Sequence, residues 1–181
     1  NKRGGVATPV TQLFISPHQT IAVIKLPSRI DCEVSKIIGE EIDDLFSQDV
    51  LLFDFQKVRH IDLSGLGLMI RIWQRALREK KQLYSFGISS DIALLLHLHR
   101  IFDLVRDSHC AFLHDLVSRL NQNPKSSSFY DSIQQDHQRV MISFFGRLDH
   151  ELDVEVYLQK IEPIIHQKEC YLDFTYCTYI D

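Results

Sequence analysis

The chain has no apolar run long enough to cross a bilayer. Its longest, Ile92 to Leu96, is followed by His97, far short of the ~20 residues that a spanning helix needs. No secretory leader is visible, and the chain begins at Asn1 rather than Met, so a segment upstream is expected. Cysteine is sparse: Cys32, Cys110, Cys170 and Cys177 form no tight pattern, so a disulfide framework is excluded and a reducing cytoplasm is expected. Charge of one sign is also lacking. The 20 Lys+Arg against 24 Asp+Glu leave a net charge of -4, which supplies no general attraction to nucleic acid or anionic lipid. Metal-ligand spacing is missing too. His97 and His99 lie two apart and do not share a helix face, and His166, Cys170 and Cys177 have no paired spacing. Neither a metal nor a cofactor is expected.

What is present is an ordinary globular composition, 45% hydrophobic and 24% charged, in a length of 181 residues that fits one large or two small domains, and strand patterns that alternate with helix patterns make the class α/β. Residues 1–10 read as a loose tail. Thr20 to Leu26 reads as a strand, with residues 11–15 as its hairpin partner. Asp31 is placed to cap a helix over 33–47. Val50 to Phe55 is a continuous apolar run, suited to a strand covered on both faces. Gln56 to Leu63 reads as a loop, and Ser64 then opens a helix to Glu79. Leu66, Met69, Ile70, Trp73 and Leu77 face its sheet, and Arg71, Arg75 and Arg78 form a basic stripe on its wet side. Gln82 to Phe86 is a further strand. A third helix is capped by Asp91, and a final helix covers 109–120.

Residues 121–137 contain the Pro- and Ser-rich stretch that best fits a linker. After it the pattern restarts with a period of 118 to 119 residues. Arg29-Ile30-Asp31 recurs as Arg147-Leu148-Asp149, Leu52 to Phe55 as Tyr171 to Phe174, and Ile61-Asp62 as Ile180-Asp181. The strand Ile21 to Leu26 corresponds to Val140 to Phe145. Residues 11–120 are therefore expected to be a first domain, and 138–181 the N-terminal half of a second copy. The protein is expected to continue beyond this sequence, or a partner to cover the incomplete copy, making a homo-oligomer one option.

The loop His60 to Gly67 joins a buried strand to an amphipathic helix. Ser64 sits at or beside the helix N-cap, where free amides and the positive end of the helix dipole meet. Its hydroxyl can serve as a plain cap, or it can carry a phosphate that this position would receive. Asp62, either a turn former or a repelling neighbour for such a phosphate, lies two residues before it. Gly65 and Gly67 permit close approach. A nucleophilic role for Ser64 would need a base and an oxyanion site. His60 is near in sequence but no third partner is evident, so no enzyme is expected.

The Arg29-Ile30-Asp31 turn, the Leu52 to Phe55 strand and Ile61-Asp62-Leu63-Ser64-Gly65-Leu66-Gly67 together resemble the STAS domain family of anti-sigma factor antagonists, over residues 11–120 and in outline over 138–181. Leu63 departs from the serine common in the family's loop. The resemblance implies a mixed β-sheet covered by α-helices, in tandem. It also implies that Ser64 is the phosphorylated residue. Asp31, Asp62, Leu63, Gly65, Leu66 and Gly67 would contact the partner; a helix-capping role for Asp31 stays open. The implied partners are an anti-sigma factor that is also a serine kinase and a PP2C-type phosphatase. The alternative is a STAS-type scaffold in stress signalling, anion transport or lipid transport, without a phosphorylation cycle.

Overall fold

Apolar runs and amphipathic periodicities alternate along the chain, and strands alternate with helices accordingly. The computed structural model describes residues 8–16, 19–122, 129–148, 154–166 and 168–180. Strands β1 (Val10–Ile15), β2 (Thr20–Lys25) and β3 (Arg29–Ile30) precede helix α1 (Cys32–Phe46). Strands β4 (Val50–Asp54) and β5 (His60–Ile61) lead into α2 (Leu63–Glu79) and β6 (Gln82–Phe86). Then come α3 (Ser90–Leu98), α4 (Phe102–Val105), a single 3₁₀ turn, β7 (His109–Cys110) and α5 (Leu113–Asn121). Strands β8 (Phe129–Gln135) and β9 (Arg139–Leu148), helix α6 (Val154–Ile165) and strand β10 (Glu169–Ile180) complete the order. Two compact units result, one built around Ile21–Phe112 and the other from Leu13–Thr20 with residues from Leu113 onward.

In the first unit β2, β4, β6 and β7 lie side by side, all parallel. All five residues of β4 are buried, because this strand is paired on both edges and covered on both faces, as the unbroken apolar run predicts. Helix α1 buries Val34, Ile38, Leu45 and Phe46 and is capped by Asp31, whose carboxylate accepts from the amides of Glu33 and Val34 at 3.2 Å each. Helix α2 buries Leu66, Leu68, Met69, Ile72, Trp73 and Ala76. Its apolar stripe is rotated from the expected one: Leu77 is 67% exposed and Ile70 only half-buried. Trp73 packs against Phe53, centroids 5.4 Å apart, and donates Nε1–H to Ser108 Oγ at 2.7 Å.

Other expectations are corrected. The cap of α3 is Ser89, not Asp91; its hydroxyl accepts from the amide of Ile92. The expected helix over 109–120 does not form as one piece, because His109 and Cys110 pair with Ser85 and Phe86 as β7 and helix starts again at Leu113. The linker over 121–137 contains β8, and Val10 of the expected tail belongs to β1. Residues 1–7 of that tail, 123–128 of the linker, Asp149 and Asp181 lie outside the described residues.

Between the larger strands, β3 and β5 form a two-residue parallel ladder, Arg29 with His60 and Ile30 with Ile61. The expected loop 56–63 hid this pairing. The amide of Asp62 donates to the carbonyl of Ile30 at 3.1 Å. Gly65 sits so close to Ile30 that a Cβ there would lie 2.7 Å from the Ile30 carbonyl oxygen.

In the second unit β8 and β9 are antiparallel, β9 and β10 parallel, and Ile15 of β1 pairs with Asp131 of β8. One face of β9 buries Val140, Ile142 and Phe144 against Ile161 of α6. Phe145 lies 5.5 Å from Phe14 and 6.0 Å from both Tyr130 and Tyr176, ring centre to ring centre. Buried Asp131 is neutralised by Lys160 at 2.6 Å and accepts from the Tyr157 hydroxyl at 3.1 Å. Among the described residues β10 pairs with β9 alone, and Leu172 and Phe174 on it are exposed.

Gly65→Ala inserts a methyl against Ile30 and should lower stability by about 1–2 kcal/mol despite alanine's better helix propensity. Gly67→Ala meets nothing within 4 Å and should raise stability by up to about 1 kcal/mol; urea unfolding midpoints read both. Among the thiols, burial and then Asp173 push Cys177 up to about 11, Cys110 is buried, and Cys32 and Cys170 are exposed. Since the thiolate is the nucleophile, iodoacetamide at pH 8 should modify Cys32 and Cys170. Cys177 should follow only as the pH is raised towards 11, read by peptide mass spectrometry.

Candidate functional site

The short β3–β5 ladder sets the site. Each of its strands ends in Ile and is followed by an Asp that caps the next helix. The parallel pairing of Ile30 with Ile61 therefore brings the starts of α1 and α2 side by side in register. Asp62 adopts an extended backbone and accepts from the amide of Gly65 at 2.9 Å. Asp31 does the same for α1. Two positive dipole ends thus converge, each already carrying one capping carboxylate.

This arrangement changes the place of Ser64. It is the second residue of α2, not its cap, because the Asp62 carboxylate reaches the third amide of the helix and leaves the hydroxyl without a capping task. Ser64 is exposed, and among the described residues its hydroxyl makes no hydrogen bond. Leu63 beside it is 76% exposed. The other expected contact residues divide. Leu66 belongs to the hydrophobic core and Gly65 is buried against Ile30; both shape the loop and present nothing to solvent. Gly67 is half-buried with open space where a side chain would be. Asp31 and Asp62 are half-buried and engaged as caps.

A groove of about 400 Å³ runs between α1 and α2, lined by Cys32, Ser35, Lys36, Leu63, Ser64, Gly67 and Arg71. Sequence reasoning found the α2 side of it and missed the α1 side. The signal was the repeated Ile-Asp before each helix, which aligns the first turns of α1 and α2 once β3 and β5 are known to pair. Of the basic stripe, Arg75 is not free. It bridges the two helices, 2.6 Å from Asp43 on α1 and 2.7 Å from Glu79, over the ring of Phe46 at 4.3 Å. Its hydrogen bonds to Glu79 and Asp43 raise its affinity for the proton. Arg71 and Arg78 are exposed.

His60 is exposed, and among the described residues no hydrogen bond joins it to Ser64. His97 stacks on Phe102, 4.0 Å between ring centres. No group of three His, Cys, Asp or Glu side chains converges among the described residues, and no described helix is long and apolar enough to cross a membrane.

No curated protein matches the sequence, but solved structures do. The fold is similar to that of the murine Solute Carrier 26 family member A9 anion transporter in its inward-facing state (TM-score 0.51, 13% identity), with 64% of this chain matched to 22% of the transporter. The anti-sigma factor antagonist SpoIIAA in its unphosphorylated form matches at TM-score 0.49 and 15% identity, covering 63% of this chain and 98% of SpoIIAA. An anti-sigma factor antagonist from Mycobacterium paratuberculosis matches at TM-score 0.48 and 15% identity, over 62% and 94%. The model of the STAS domain matches residues 15–114, more than half of the chain. With its parallel strands, paired helix starts and Ile61 to Gly67 loop inside that span, the chain belongs to the STAS domain family.

Proposed function

We propose that this protein is a phosphoswitch of the anti-sigma factor antagonist type, with Ser64 as the acceptor. The observation that carries the reading is the state of Ser64: an exposed hydroxyl with no hydrogen-bond partner among the described residues, in the first turn of α2, one residue before the buried Gly65. In the unphosphorylated form the face around Leu63 and Ser64 binds an anti-sigma factor that is also a serine kinase, which releases a sigma factor. Phosphorylation adds a charge of about -2 at the interface. Asp62 is held in place by its bond to Gly65, so the new charge is not accommodated silently and the complex breaks. A PP2C-type phosphatase restores it. The switch needs no catalytic group of its own, and its setting is the cytoplasm.

The second unit fits a truncated second copy of the first. Supporting this, the pairing of Ala22 with Leu51 through Lys25 with Asp54 has a counterpart in Val140 with Cys170 through Ser143 with Asp173. The ladder moves the strand correspondence by one residue, matching Ala22 rather than Ile21 to Val140, and so agrees with the match of Arg29 to Arg147. In this reading the first copy alone carries a switch residue within this sequence. A second functional reading, a STAS interaction module without a phosphorylation cycle, is favoured by the likeness of the fold to a domain of an anion transporter.

Incubation with candidate anti-sigma serine kinases and ATP should place phosphate on Ser64, seen by phosphopeptide mapping. Ser64→Ala should abolish it, and Ser64→Asp should weaken kinase binding about tenfold or more. An unmodified Ser64 together with undiminished binding by Ser64→Asp would leave only the interaction-module reading.

A further inference from the structure

We propose that the groove between the first turns of α1 and α2 is a docking site for an acidic segment of a partner protein, with Ser35, Lys36 and Arg71 receiving a carboxylate and Leu63 an apolar neighbour. The proposal rests on the reading of this face as the partner surface, and it does not need a phosphorylation cycle. Charge is the first argument. The groove wall holds two cations and no carboxylate. Among the described residues Arg71 has no ion-pair partner, and Lys36 is only loosely engaged, 3.8 Å from Glu40 with both side chains largely in water. Two helix N-termini open at the same end, adding positive potential. Asp31 and Asp62 offset part of it, but both are turned to their own helix amides.

Ser35 is the independent observation. Its residue is 8% exposed and lines the groove, and among the described residues its buried hydroxyl has no hydrogen-bond partner. An orphaned buried hydroxyl is unfavourable, and a turn about the Cα–Cβ bond towards the groove that Ser35 lines lets it donate to an acceptor oxygen bound there. Gly67 adds a third argument. It sits inside α2, where glycine weakens a helix relative to alanine, yet a Cβ there would touch nothing. Neither backbone conformation nor packing calls for glycine at this position, whereas close approach of another chain does. Leu63, exposed at the mouth of the groove, supplies the apolar anchor that a protein partner uses and a free anion does not.

The test needs no known partner. A displayed library of random dodecapeptides is selected on the immobilised full-length chain, and the enriched peptides are then measured against Arg71→Gln, Lys36→Gln and Ser35→Ala. The expected winners carry Asp or Glu next to an apolar residue. Arg71→Gln should weaken them about tenfold, as loss of a charge-assisted contact implies. Ser35→Ala should weaken them several-fold while leaving the thermal midpoint unchanged or higher, because it removes a buried hydroxyl that bonds nothing among the described residues. Neutral or basic winners, no enrichment, or acidic winners indifferent to both Arg71→Gln and Ser35→Ala would overturn the proposal. Phosphate on Ser64 with no acidic peptide captured overturns the docking site and leaves the switch. Acidic peptides lost in Arg71→Gln with Ser64 never phosphorylated does the reverse.

Discussion

The first unit depends on one close approach, that of the start of α2 to the backbone of Ile30. The contact is possible because residue 65 has no Cβ; any other residue would put a carbon 2.7 Å from the Ile30 carbonyl oxygen. The Asp62 amide bonds that same carbonyl, so the oxygen is shared between a hydrogen bond and a tight helix contact. Everything that makes the site follows from it: the ladder of β3 with β5, the alignment of two capping carboxylates, and the groove that opens between the first turns of α1 and α2.

Division of labour around this contact explains why neighbouring residues in one short motif do different things. Asp62 and Gly65 build the helix start. Leu66 anchors it in the core. Leu63 and Ser64, freed from both tasks, point into water on a rigid frame. Gly67, one turn on, leaves space and nothing else. In the proposed switch, a rigid scaffold that presents a small exposed set lets the surface read a single modification, since an added charge cannot relax into a mobile loop. The ion-paired Arg75, lying over Phe46 and holding α1 to α2, keeps the far end of the groove from spreading.

Much of this was legible in local pattern. The strand Val50–Asp54 announces itself because five consecutive buried residues leave no polar alternation. The cap at Asp31 is legible because capping is decided within three residues. The Ile61 to Gly67 motif marks the family for the same reason, since its residues are consecutive. Illegible were the features that need a distant partner. Two-residue strands such as β3, β5 and β7 have no periodicity to detect; they exist because Ile30 meets Ile61 and Cys110 meets Phe86. The reading of 109–120 as one helix failed on that ground. The rotation of α2, which exposes Leu77 and buries Leu68, is likewise set by the sheet it packs on rather than by its own composition.

The sequence by itself determined the α/β class, the central apolar strand, the cap of α1 and the identity of the loop around Ser64, because each rests on residues close together in the chain. Tertiary structure decided that Asp62, not Ser64, caps α2, that Arg75 is a strut rather than a free cation, and that Ser35 and Lys36 share a wall with Ser64 and Arg71. Those outcomes depend on which helix starts lie side by side. A hydrogen-bonded pair of strands that joins Ile30 to Ile61 across the whole of α1 and β4 settles that, and no local propensity encodes it.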